Sequence, residues 1–190
     1  MSWEKEVEEL KRRQKLAEGM GGPAKLKRQR EQGKLNVRER IAALVDKGSF
    51  REVGKLGGVG AYDAKGNLTG FLPANILFGR ARIEGRPVVV QADDFTVRGG
   101  AADASLHGKL VQSEKMAHEY RMPLVRLIEG TGGGGSVKTL ESMGYTYVPE
   151  VPGFELMVEN LATIPVVSLG LGPVAGLGAG RQVMAHYSVL

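Results

Sequence analysis

The chain has 190 residues, 42% hydrophobic and 25% charged, which suits one globular domain with or without an arm and excludes disorder over most of its length. It contains no cysteine, so disulfides, thiol nucleophiles and cysteine-held metals are excluded. The net charge of +5 lies wholly in residues 1–47, where 13 Lys/Arg stand against 8 Asp/Glu, while the other 143 residues hold 13 of each.

That basic stretch is interleaved with Glu and has Trp3 as its one aromatic, so it reads as a solvated helix face, not a nucleic-acid surface. Residues 2–18 are expected to form a helix with Ser2 as cap and Val7, Leu10 and Leu16 on one face. Its start is too charged for a signal peptide. Gly19–Pro23 breaks this helix. A second helix is expected over Ala24–Gln32 and a third over Asn36–Val45. Asn36 and Glu39 have capping-box spacing in the third, and Val37, Ile41, Leu44 and Val45 supply its buried face.

From Ser49 the texture changes to strands and turns. The pattern predicts a turn at Asp63–Asn67, a strand at Leu77–Ile83, a hairpin turn at Glu84–Pro87 and a buried strand at Pro87–Ala92. Gly99-Gly100 follow, then a helix from about Ala102 to Tyr120. Pro123–Ile128 is a second apolar strand and Pro165–Leu169 a third, with a helix at Pro152–Leu161 between them. A further helix is expected to begin near Ala179, and Tyr187–Leu190 to begin a strand. Alternating strands and helices indicate an α/β layered fold, divided into an arm at 1–47 and a main domain at 48–190. The stretch Leu161–Gly180 is broken by Pro165, Pro173 and glycines and is not expected to span a membrane. The chain stops at HYSVL without a polar tail, as expected of a piece of a longer protein or of one whose neighbour is a second chain.

The 28 glycines are about double the average share of ~7%. Twice an apolar strand runs into a glycine-rich turn, at Thr131–Gly135 and at Gly172–Gly180. Turns without side chains let a ligand reach the backbone, and two of them can aim two N–H groups at one oxygen, an oxyanion hole. The alternative is that these glycines only permit close packing. Gly99-Gly100, after another strand, are a weaker candidate for a third wall of the same cleft. Gly130–Lys138 lacks the Walker spacing, and Gly170–Ala175 fits only the looser dinucleotide pattern without its acidic partner. His107, His118 and His186 have no metal-ligand spacing and read as surface or satisfied histidines. Asp93-Asp94 read as a structural turn, and Ser136 lacks a matched base. No metal site is expected.

Three runs carry a family resemblance: Gly33–Phe50 (GKLNVRERIAALVDKGSF), Gly85–Gly100 (GRPVVVQADDFTVRGG) and Gly172–Gly176 (GPVAG). In order and spacing, across residues 24–190, the chain resembles the amino-terminal half of carboxyltransferase β subunits of biotin-dependent acyl-CoA carboxylases, the propionyl-CoA carboxylase group. The resemblance implies a crotonase-like β-β-α superhelix behind an N-terminal helical arm. It also implies transfer of a carboxyl group from carboxybiotin to the α-carbon of an acyl-CoA through an enolate, with the freed biotin nitrogen as base. The N–H groups of Gly134 and Leu177 become the expected oxyanion donors, with Gly133, Gly176 and Gly178 shaping the turns. Arg98, Gly99, Gly100 and Lys34 become the expected contacts to coenzyme A.

The implied partners are an acyl-CoA, a biotin carboxylase and biotin carrier subunit, and a C-terminal carboxyltransferase half or second subunit in a homo-oligomer. No nucleic acid or membrane partner is expected, and a cytoplasmic location is. The chain departs from the family's Ser-Gly-Gly-Ala-Arg turn, having Thr131-Gly132-Gly133-Gly134-Gly135, and Leu177 replaces a glycine. Another crotonase-fold enzyme on a CoA thioester and a non-catalytic assembly module remain alternatives. A hydratase would need a glutamate where Gly180 stands.

Overall fold

The structure is a computed structural model in which residues 2–101, 107–132, 137, 140–141, 144–145 and 152–190 are described. Three helices come first: α1 (Glu4–Glu18), α2 (Pro23–Glu31) and α3 (Val37–Leu44). Strands β1 (Arg51–Val53), β2 (Gly58–Tyr62), β3 (Leu68–Pro73), β4 (Ile76–Ile83) and β5 (Arg86–Asp93) follow. After a short 3-10 turn at Arg98–Gly100 come α4 (His107–Tyr120), β6 (Leu124–Gly130), α5 (Phe154–Thr163), β7 (Val166–Val174), α6 (Leu177–Val183) and β8 (Tyr187–Val189).

Six strands form one sheet in the order β1-β4-β5-β6-β7-β8, and β2 and β3 form a separate hairpin. The strands from β5 to β8 are mutually parallel, whereas β1, β4 and β5 pair antiparallel. The change of direction follows from connection length. Glu84 and Gly85, with φ of 50° and 78°, close the two-residue turn between β4 and β5. Each parallel pair is instead joined by a crossover containing a helix. The expected turn at Asp63–Asn67 joins β2 to β3, with the Asp63 carboxylate accepting from the N–H groups of Lys65 and Asn67.

Side-chain parity assigns the two faces of the sheet. On β5, Val88, Val90 and Ala92 join Val125 and Leu127 of β6 against Val37, Ile41 and Val45. The opposite face carries Val89 and Leu124, which pack with Ala117 of α4 and with Ile164 and Val166. α3 therefore sits in the main core, although it lies on the arm side of residue 47. It is started by a full capping box: Asn36 accepts from the N–H groups of Arg38 and Glu39, and Glu39 accepts from the Asn36 N–H.

α1 departs from expectation. Trp3, not Ser2, is its N-cap residue, and the Ser2 hydroxyl lies 3.4 Å from the Glu4 N–H without capping the helix. Val7, Leu10 and Leu16 remain exposed, and α1 packs chiefly on β3 of the small hairpin. α6 begins at Leu177, two residues before the expected Ala179, because Gly176 at φ 56° turns the chain there. The other expected elements form with ends shifted by a few residues. The expected helix start at about Ala102 lies outside the described residues.

Candidate functional site

The carboxyl ends of the parallel strands β5, β6 and β7 lie along one edge of the sheet, and each runs into glycine. The close approaches there need glycine. A Cβ on Gly100 would strike the Glu129 carbonyl, and one on Gly130 would strike the Gly100 carbonyl. The Thr131 N–H donates to the Gly99 carbonyl at 3.0 Å, and the Ala175 N–H donates to the Gly130 carbonyl at 3.1 Å. A Cβ on Gly132, at φ 81°, would lie 3.5 Å from the backbone of Gly176. The three segments suspected from sequence, Gly99-Gly100, Thr131-Gly132 and Ala175–Leu177, thus form one continuous backbone surface. Among the described residues no acceptor pairs with the Leu177 N–H. A Cβ on Gly178 would lie 3.5 Å from the Ile128 side chain and 3.8 Å from that of Val174, an ordinary contact distance. Gly133, Gly134 and Ser136 lie outside the described residues.

Behind this surface the charges are internally paired. Glu129, at the end of β6, is fully buried between Lys34, 2.8 Å away, and Arg40. Arg40 also donates to the Leu171 carbonyl at 3.2 Å. Lys34 therefore has a carboxylate partner inside the fold, and its ammonium lies 5.7 Å above the Phe95 ring. Asp93, at the end of β5, accepts from Arg181 of α6 at 3.0 Å. Burial pushes the Asp93 carboxyl up, and Arg181 opposes that shift. Asp94 turns the other way, as expected of adjacent strand residues. Its Oδ1 accepts from the Thr96 N–H at 2.9 Å and the Thr96 hydroxyl at 2.6 Å, so it makes the structural turn the sequence suggested.

A second buried pair, Arg126 with Glu114, lies deeper between β6 and α4 at 2.8 Å. Burial lowers the Arg126 pKa and Glu114 opposes the fall. Asn160 bridges α5 to this pair, donating to Glu114 Oε2 at 2.9 Å and lying 3.1 Å from His118 Nδ1. His186 is satisfied by the Val166 N–H and the Leu161 carbonyl. Both described histidine rings are structural; that of His107 lies outside the described residues. Among the described residues no group of three metal-ligating side chains occurs.

Beside Gly99 opens a cavity of about 340 Å³ between α2 and the loop after β5, lined by Lys25, Arg28, Gln29, Gln32, Phe95 and Thr96. Gln29 is buried and its Oε1 has no partner among the described residues. Arg98, exposed and at φ 49°, stands next to Gly99. Sequence reasoning missed Lys25, Arg28 and the paired charges behind the turns. One signal was present: Arg126 and Glu129 interrupt an otherwise apolar strand, which demands buried partners.

Residues 28–186 match the family model described as carboxyl transferase domain. The methylmalonyl-CoA carboxyltransferase 12S subunit of Propionibacterium freudenreichii subsp. shermanii is 31% identical over 192 residues, covering 97% of this chain and 34% of that protein. The mitochondrial propionyl-CoA carboxylase beta chain of Sus scrofa is 33% identical over 162 residues, covering 82% of this chain and 28% of that protein. Among solved structures, a transcarboxylase 12S crystal structure with hydrolysed methylmalonyl-coenzyme A bound superposes with a TM-score of 0.75 at 25% identity. It covers 99% of this chain and 36% of that one. The fold is the α/β, crotonase-like one of these domains, and the chain spans about a third of the length of its relatives.

Proposed function

The chain belongs to the carboxyl transferase domain family, and from that membership we propose that it forms the acyl-CoA-holding half of a biotin-dependent acyl-CoA carboxyltransferase. The observation that carries this reading is the meeting of three glycine turns at the carboxyl ends of β5, β6 and β7. A thioester carbonyl laid on that surface touches backbone alone. As its α-carbon loses a proton, negative charge builds on the carbonyl oxygen, and N–H groups fixed beforehand stabilise it without reorganising. Leu177 supplies one N–H. Gly134, by family position, supplies the other.

The described residues also fit a base brought by a second substrate. Of the three buried carboxylates at this edge, Asp93 is held by Arg181, Glu129 by Lys34 and Arg40, and Asp94 accepts from Thr96. Carboxybiotin on a carrier protein would supply the carboxyl group and the basic nitrogen. The chain's own residues hold the thioester, orient its α-carbon and stabilise the enolate. A hydratase is disfavoured, because Gly180 stands where its glutamate would be.

The nucleotide end of coenzyme A is assigned to the cavity beside Gly99. Lys25 and Arg28 offer charge to its phosphates, Phe95 offers a ring face to adenine, and Gln29 offers an unused acceptor. Arg98 stands at the rim, and Gly99 and Gly100 let the chain of the cofactor pass. Lys34 acts from behind, through Glu129 and Phe95. The remaining half of the site, a carrier and a homo-oligomeric assembly belong to the same proposal.

The test is Leu177→Pro in the complete carboxyltransferase, assayed with propionyl-CoA. Losing one oxyanion donor is expected to lower the rate about 10²–10³-fold, with Leu177→Ala mild by comparison. An unchanged rate in Leu177→Pro would contradict the assignment.

A further inference from the structure

The Asp93–Arg181 ion pair lies directly behind the glycine turns and ties three segments together. Arg181 Nη2 lies 3.0 Å from Asp93 Oδ1 and 3.3 Å from Oδ2. The same nitrogen donates to Gln91 Oε1 at 3.0 Å, and Gln91 is itself anchored to Ser113 of α4. Asp93 Oδ2 also accepts from the Glu129 N–H at 3.4 Å, one residue before Gly130. The pair thus touches the end of β5 before Gly99, the end of β6 before Gly132 and α6 four residues after Leu177.

α6 cannot set its own direction. It has seven residues, LGAGRQV, of which two are glycines, and an isolated helix of this length has no stability in water. Its orientation comes from side chains that reach across the sheet. The Arg181 carbonyl accepts from Arg126 Nη1 and from the Ser168 hydroxyl, both at 3.2 Å. The Arg181 side chain meanwhile draws the helix toward β5. A buried ion pair gains little stability over apolar packing of the same volume, whereas it fixes direction well.

Resting on the carboxyltransferase reading above, we propose that Asp93 and Arg181 are positioning residues that hold the Leu177 turn in register with Gly99-Gly100 and Thr131-Gly132, so that its N–H aims at the thioester oxygen. Neither touches substrate. Their effect passes through the backbone of α6 and of the β6 end.

The experiment is isotope-edited infrared spectroscopy of propionyl-CoA, labelled with ¹³C at the carbonyl and bound to the full chain. Calorimetry with free CoA and thermal melting run alongside. In the wild-type chain the bound carbonyl stretch is expected at lower frequency than in the free thioester, because aimed donors polarise it. Arg181→Met is expected to lose that shift while free CoA still binds, and Arg181→Lys to recover part of it. The double variant Asp93→Asn/Arg181→Met removes the unpaired buried carboxylate, so it is expected to regain melting temperature without regaining the shift. A full shift in Arg181→Met, or a shift that returns together with stability in the double variant, would overturn the positioning role alone. A wild-type chain that binds the thioester without any shift, or does not bind it, would overturn the donor reading and this inference with it.

Discussion

Gly172 shows what a single hydrogen atom decides in this molecule. A Cβ at this position would run into the carboxylate of Glu129, which Lys34 and Arg40 hold in place. Gly172→Ala must displace that buried charge, and an overpacking cost of about 1–3 kcal/mol is expected as a lower urea midpoint at unchanged slope. Asp94 supports a prediction of opposite sign. Burial raises its pKa above the usual carboxylate value, and the bonds from Thr96 only partly offset this. A raised folded pKa means that ionised Asp94 costs stability at neutral pH, and that the cost disappears as pH falls below the unfolded value. Asp94→Asn keeps an oxygen acceptor for Thr96. It is expected to raise the melting temperature at pH 7, with a gain that shrinks toward pH 4. A gain that grows on acidification would contradict the sign. At this scale the sequence showed which glycines cluster. It could not show that Gly100 needs the Glu129 carbonyl or Gly132 needs Gly176, because those partners lie far apart in the chain.

Elements differ in how much of their origin is local. α3 was legible almost completely, since its capping box and apolar spacing lie within ten residues. Asn36→Ala is expected to cost about 0.5–2 kcal/mol, measured by thermal or urea unfolding. The β4–β5 hairpin was legible for the same reason, with its turn residues adjacent in sequence. α1 was legible as a helix but not in its packing, because a stripe of Val7, Leu10 and Leu16 does not say whether a core lies beside it. α6 was misplaced at its start, since Gly176 has no local mark that distinguishes it from Gly178. In β6 every residue is buried, yet it carries Arg126 and Glu129. Arg126→Met would strand the Glu114 carboxylate in the core, with an expected loss of about 3–5 kcal/mol. A loss under 1 kcal/mol would show that Glu114 escapes to water or takes up a proton at little cost.

At the scale of the whole molecule, the parallel part of one mixed sheet brings the ends of β5, β6 and β7 to a single edge. Glycine segments separated by more than thirty residues thereby become one surface. The order of strands and helices was legible as α/β, and the family resemblance carried the reading further than periodicity could. The charged scaffold behind the site was not legible, because Asp93 with Arg181 and Glu129 with Lys34 are pairings across the chain. The basic helices also find a place, since α2 lines the cavity beside Gly99 with Lys25 and Arg28. Phosphate binding there should weaken as salt rises. Because the proposed function leaves the rest of the site to other chain segments, the 190-residue chain is expected to bind acyl-CoA and yet show no turnover with free biotin.

Calorimetric titration of this chain with propionyl-CoA, with free CoA as the control, tests the central claim most directly. The account predicts saturable binding of both ligands, weakened by salt and by Arg28→Ala. A chain that is demonstrably folded and binds neither would contradict the claim that these three turns and the cavity beside them form a preformed coenzyme A site.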